Sequence, residues 1–557
     1  MKKTRFYELC IVIAAVWGIA FAGCGQPAGM GLGTADTGIG QAGTETSTRS
    51  YLAMLKAQDN HKVSVENLQQ IASGFVNKLT SDTPDGRTVS AENSVTGIRK
   101  LEVNNKNKFQ NRNKDGRTLS AEPETEPVEL YEFAFGNPAD GGGQYALASN
   151  DVRIGYFLAM TEGSLADAGG GFGEYIRAAV QAYIDSIILV YNDITEAEVE
   201  AAIAEMGAET VPSRSVSVTG DYDGNPDGWV LESLICDFVS GRGFLLCTRW
   251  GQGTAGPYSD STTYAYNAQI RHFAKANTGL YNTTEEDADY FVAGCGPVAM
   301  AQVIAYYGVL NSSTNKPGPW DDGTAWQGRG KWSGTYDFGL LQGSNTIAIR
   351  NNSNYIARGQ VAALMFQAFR ESKTTLVTKT DEDGNKSSYI GTSMDDIKTA
   401  MENFGYTTSY YSYATSAAGT SNSFSITYYT PLSVISTALD NALPIIAAGA
   451  TSDNQVAHIW VIDGYGRLTW LNETYKKGNK FAYRRLTFNN CLMVHCNMGW
   501  DEEGDEGGFQ LSGYTGRNGW YIYGIFDTRA TAFDNKSITA EEGNYSSRTI
   551  MLIAKPK

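Results

Sequence analysis

Histidine is almost missing from this chain: four residues in 557, at His61, His272, His458 and His495. Any reaction that needs an imidazole base has few places to put it. Proline is scarce too, at 14, against 32 tyrosines and 10 tryptophans. That balance favours strands and hydrogen-bonded loops over a helical bundle. Positive charge is in deficit, with 44 Lys plus Arg against 60 Asp plus Glu and a net charge of −16. So acidic a surface argues against nucleic acid as a partner and against a polybasic membrane contact. The length exceeds one ordinary core, so two or more domains are expected.

Long apolar runs are lacking except at the start. Met1-Lys2-Lys3-Thr4-Arg5 is a positive n-region, and Ile11 to Ala22 is a short apolar stretch. It suits a signal-peptide core and is too short for a comfortable membrane span. The stretch ends Phe21-Ala22-Gly23-Cys24. Small residues before a Cys are what a lipoprotein signal peptidase needs, although Phe21 stands where Leu is usual. Residues 1–23 are therefore expected to be a signal peptide, with Cys24 the lipidation site. The Gly-, Thr- and Ala-rich 24–50 would be a flexible tether. An exported protein, held at the cell surface or outer membrane or released from it, is the expectation.

Cysteine is sparse, at seven. Cys10 leaves with the signal and Cys24 takes the lipid, so Cys236, Cys247, Cys295, Cys491 and Cys496 remain. An odd count in an exported chain flags a free thiol without saying which. Cys491 and Cys496 on one extended strand would lie roughly 16 Å apart, too far to pair with each other.

Leu68, Ile71, Phe75 and Leu79 predict a first helix. The polar stretch 80–125 holds a short repeat, Asp85 to Glu92 and Asp115 to Glu122, and reads as a mobile insertion. Strands are expected at 130–135, 145–149 and 154–158, then a helix over 173–191. Together they make a small α+β unit, 51–212. The polar segment 213–228 reads as a linker and a place for processing. Its Asp221, Asp223, Asn225, Asp227 and Glu232 resemble calcium-loop ligands, but Pro226 occupies the position where an EF-hand needs Gly. A larger α+β domain fills 229–557, with stretches near 310–355 and 378–425 expected as surface loops.

Cys295 follows Gly294 and precedes Gly296-Pro297, after which the period is helical. That places the thiol at a helix N-terminus, where the dipole favours thiolate and a nucleophile is expected. His458 lies in an apolar strand ending in Asp463-Gly464, read as a turn. On a later strand, alternation would put His495 and Asn497 on one face. The Asn oxygen could fix an imidazole tautomer, with Trp500 to cover such a pair from water and Gly499, like Gly294, as support for the site. Upstream, Gln252 sits in a Gly-flanked loop and could donate to a developing oxyanion. Geometry alone leaves His458 and His495 both open as the base.

The order Gln, Cys, His, Asn resembles that of papain-like peptidases, and the segments resemble the C10 cysteine peptidases, the streptopain family. Its Trp-Gly-Gln-Gly resembles Trp250 to Gly253, with Pro257-Tyr258 following. Its Gly-Cys at a helix start resembles Gly294-Cys295, and its His-x-x-Val-Ile-Asp-Gly resembles His458 to Gly464. Its His-x-Asn-Trp-Gly-Trp resembles His495 to Trp500, with Met498 in place of the first Trp. Val456-Ala457 replaces a Gly pair before the His, and Ala255-Gly256 lengthens the loop after Gln252. The resemblance implies a papain-like catalytic domain, a helical part against an antiparallel sheet, preceded by an inhibitory prodomain. It implies Cys295 as nucleophile, His458 as general base and acid, Asn497 as its orienting residue and Gln252 as oxyanion donor. Hydrolysis of proteins or peptides through a thioester would follow, without metal or cofactor, preferring an apolar residue two before the cut. Two other readings share parts of this pattern: an inactive surface-binding homologue, and a transglutaminase-like enzyme or cell-wall amidase, which commonly orient the His with Asp.

Overall fold

Leu68, Ile71, Ala72, Phe75 and Val76 are all buried at three- and four-residue spacing, and this stripe makes Val65–Ser81 a helix, α1. The computed structural model describes residues within 52–81, 95–103, 128–136, 144–166, 170–201, 218–219, 230–251, 293–314, 335–343, 355–380, 386–412, 431–450, 457–499, 518–526 and 548–557. After α1 come β1 (Val95–Leu101), β2 (Leu130–Phe135), β3 (Gln144–Ser149) and β4 (Ala159–Thr161), then α2 (Gly170–Asp193). Next are β5 (Val218–Thr219), β6 (Val230–Arg242), α3 (Cys295–Tyr307), α4 (Phe338–Gly343) and α5 (Tyr355–Glu371). The chain continues through β7 (Thr375–Thr380), β8 (Lys386–Gly391), α6 (Met394–Asn403), β9 (Tyr406–Ser412) and α7 (Pro431–Asp440). It ends in β10 (Ile445–Ala450), β11 (Ala457–Lys477), β12 (Lys480–Asn497), β13 (Gly519–Ile522) and β14 (Arg548–Pro556).

The fold is α+β. Among the described residues a twelve-stranded sheet runs β1-β2-β3-β4-β13-β12-β11-β10-β14-β9, with β5 added to β12 and β6 to β11. Its pairings are antiparallel, and β11 with β12 forms a long hairpin. Strand alternation sorts the side chains onto two faces. Ile445, Ala447, Trp460, Ile462, Met551 and Ile553 pack with the N-terminal elements and α7. Their neighbours Ile446, Ile459, Val461, Leu552 and Ala554 pack with α3, α5 and α6. A buried aliphatic side chain is worth roughly 1.5–3 kcal/mol over an exposed one. A one-residue slip would exchange the two sets, so the register is strongly specified. Helices α3, α5 and α6 on one face of an antiparallel sheet give the expected helical part set against a sheet.

The N-terminal strands are stitched edge-on into this sheet. Thr161, Met160 and Ala159 of β4 pair with Gly519, Trp520 and Tyr521 of β13. The backbones pass so closely that a Cβ on Gly519 would lie 2.1 Å from the Met160 carbonyl oxygen. Thr46–Lys557 forms one compact unit.

Several expectations need correcting. The third N-terminal strand is Ala159–Thr161, after the stretch 154–158, because the chain is still turning there: Ile154 N–H donates to the Asp151 carbonyl and Gly155 takes a φ of 95°. The segment 80–125 contains β1, which pairs with β2 along its length. The segment 378–425 contains α6 and β9: Ile397, Ala400 and Met401 bury one helix face, and β9 pairs with β14. The segment 213–228 contains β5, whose Val218 and Thr219 pair with Arg484 and Tyr483. The calcium-like run 221–227 lies outside the described residues.

Candidate active site

Helix α3 is buried on every side from Gly296 to Ala305. Its entry depends on Gly294, whose φ of 84° suits a residue without a Cβ, and whose carbonyl accepts from Val298 N–H. Cys295 is therefore the first helical residue, half-buried and free of any disulfide. Burial pushes its thiol above the ordinary range, while the backbone N–H groups of Ile459, Gly296 and Cys295 itself pull the other way. The helix start was expected to depress the thiol. Desolvation is the larger effect here, because the half-buried thiol packs against the core around α3.

His458 enters from β11, where it pairs with Gly449 of β10. Its ring is buried and stacks near Trp460, centroids 6.2 Å apart, on the same side of the strand. Nε2 hydrogen-bonds to the Met498 carbonyl at 2.9 Å, not to the thiol. A carbonyl only accepts, so Nε2 carries the proton and Nδ1 keeps the basic lone pair. Burial lowers the imidazole to about 4, and the Met498 carbonyl offsets part of that. The pair is thus held neutral: thiol rather than thiolate, imidazole rather than imidazolium.

Asn497 was expected to orient His458. Its side chain is otherwise engaged. Nδ2 donates to the Thr248 carbonyl at 2.6 Å and to Gln302 Oε1 at 2.9 Å. Oδ1 accepts from Gln302 Nε2 at 3.1 Å and from Gly499 N–H at 3.2 Å. Two donors and two acceptor sites are then filled. The partner of His458 is instead the main chain one residue on. The residue is held through its amide as well, Met498 N–H donating to buried Asn518 Oδ1 at 2.8 Å. Gly499, at φ 68°, lets the chain turn against α3; a Cβ there would come within 3.1 Å of Val298.

Asp463 is not in a turn. It lies in β11 at a bulge, buried, where Oδ1 meets His495 Nδ1 at 2.7 Å and Oδ2 accepts from Leu246 N–H at 3.1 Å. The His495 ring stacks on Phe244 and meets Trp520 edge-on. Asn497 and His495 both reach the 244–250 segment, which leads towards Gln252. Gln252, Trp500, Cys24 and Cys247 lie outside the described residues. Cys496 is buried and free. Sequence reasoning missed Gln302 and Thr248. The signal for Gln302 was its being the one polar side chain from Val298 to Ala305, a run otherwise apolar.

Residues 265–509 match the model of the Peptidase C10 family. No curated protein gives a match. Among solved structures, a prointerpain A fragment from Prevotella intermedia is 16% identical, covering 75% of this chain and 94% of that one at a TM-score of 0.36. Active wild-type interpain A, a cysteine protease from the same organism, is 17% identical, covering 59% of this chain and 96% of that one at a TM-score of 0.28. The stretch that matches this family model, 265–509, holds Cys295, His458 and Asn497 and is that of a cysteine-type peptidase.

Proposed function

We propose that the chain is the precursor of an exported, surface-anchored cysteine endopeptidase. The observation that carries this is the thiol of Cys295 at the start of a buried helix, packed on the strand that supplies His458. Cys295 Sγ attacks the scissile carbonyl, and His458 takes the thiol proton and returns it to the leaving amine. The thioester is then cleaved by water, which releases the acid and regenerates the thiol. Gln252 donates to the oxyanion, and Asn497 steadies the strand end beside the imidazole. Protein or peptide chains are the substrates.

The neutral Cys295 and His458 are what a silent precursor would hold. In this reading 51–212 is an intramolecular inhibitor docked through β4 on β13. Cleavage within 213–228 releases it, and the imidazole then comes onto the thiol. Signal removal at 23 and lipidation of Cys24 tether the protein to the membrane.

The test is labelling by a papain-type epoxide together with casein cleavage, before and after processing. Processed wild type should label on Cys295 and cleave, and Cys295→Ala should do neither. Processed protein with intact Cys295 that neither labels nor cleaves would sink the peptidase mechanism. The N-terminal sequence of the active form tests the boundary. A second assignment is favoured by one contact, the His495–Asp463 pair, which would make His495 the base; comparing His458→Ala with His495→Ala separates the two.

A further inference from the structure

We infer that Gln302 is a positioning residue for the hydrolysis proposed above: it locks the nucleophile's helix to both the oxyanion-side segment and the strand end that holds His458. The inference rests on that reading of the site.

Gln302 stands seven residues after Cys295, two turns along α3, and is fully buried. An amide in an apolar helix is costly unless satisfied. Here it makes a reciprocal pair with Asn497: Nε2 donates to Asn497 Oδ1 at 3.1 Å, and Oε1 accepts from Asn497 Nδ2 at 2.9 Å. Oε1 also accepts from Thr248 Oγ1 at 3.1 Å and from Trp250 N–H at 3.3 Å. One side chain thus ties three separate pieces of chain. Asn497 precedes Met498, whose carbonyl holds His458. Trp250 lies two residues before Gln252. Gln302 fixes how far each stands from Cys295.

A residue that only filled space could be replaced by an apolar one of similar size. A positioning residue needs both its donor and its acceptor. Gln302→Leu keeps the volume and removes every bond. Gln302→Glu is an amide mimic when protonated, with one O–H to donate to Asn497 Oδ1 and a carbonyl to accept. When ionised it only accepts, and it repels Asn497 Oδ1.

Both variants and wild type would be processed with the same added protease and assayed with a fluorogenic peptide across pH. The inference expects Gln302→Leu to lose on the order of a hundredfold in kcat, the scale of about 1 Å of misplacement, with little change in KM. It expects Gln302→Glu to recover activity at acid pH and to lose it as the carboxyl ionises, a limb that wild type lacks. Should Gln302→Leu not fold, the Gln302→Glu profile decides alone. A Gln302→Glu profile that matches wild type, or a folded Gln302→Leu with wild-type kcat, overturns the inference and leaves the peptidase reading standing. A processed wild type that neither cleaves peptide nor labels on Cys295 overturns both.

Discussion

His458 and Met498 are joined through Nε2–H and a main-chain carbonyl, 2.9 Å apart, at the end of β12. The contact fixes the tautomer of the imidazole, and it depends on no side chain at position 498. It also buries the ring, and that burial sets the response of the chain to acid.

His458 titrates at about 4 in the folded chain and near the ordinary 6.5 when unfolded. Between these values the unfolded chain binds more protons, so stability is full above about pH 6.5 and falls as pH drops towards 4. The loss amounts to about 3 kcal/mol. Denaturant unfolding at pH 7 and pH 4.5 should show it, and His458→Gln should flatten the difference. An equal loss in both proteins would refute the assignment.

Cys295 is expected to react slowly in the full-length chain. Burial raises its thiol, so the thiolate fraction near neutral pH is small. Iodoacetamide should alkylate it more slowly than free cysteine at pH 7.5 and faster as pH rises. A rate above that of free cysteine in the unprocessed chain would contradict the neutral state.

The His495–Asp463 pair is expected to support structure rather than chemistry, since Asp463 also holds Leu246 N–H. His495→Ala should cost roughly 1–3 kcal/mol by stripping a partner from a buried carboxylate. The folded variant should still cleave peptide. Complete loss of hydrolysis in folded His495→Ala, with His458→Ala active, would move the base to His495.

Gly519 separates the state with the N-terminal region from the state without it. A Cβ at Gly519 meets the Met160 carbonyl oxygen at 2.1 Å. Gly519→Ala should therefore lower the thermal midpoint of the full-length chain. If 51–212 leaves on processing, the processed form should be hardly affected. An equal drop in both forms would argue that β4 stays in place.

Periodicity was readable where one rule governed a segment. Helices α1 and α2 follow from their apolar stripes. The start of α3 follows from Gly294 and Pro297, and the start of β11 follows from the apolar run around His458. Reading failed where composition competed with distant partners. The Ser-, Thr- and Tyr-rich stretch with α6 and β9 resembles loop until β14 is there to pair with Thr407 to Ser412. The Asp463-Gly464 dipeptide signals a turn until His495 and Leu246, far away in the chain, take up the carboxylate.

By itself the sequence determined the candidate nucleophile at a helix start, the short choice of bases among four histidines, and the α+β class. These rest on local spacing and residue chemistry, which neighbours along the chain suffice to express. The tertiary structure alone decided the state of the site. Burial overrides the helix dipole at Cys295, Met498 rather than Asn497 holds His458, and Gln302 draws Asn497 away. Desolvation and saturation of hydrogen-bonding groups depend on what the rest of the chain brings to within 3 Å or so, and no local pattern encodes that.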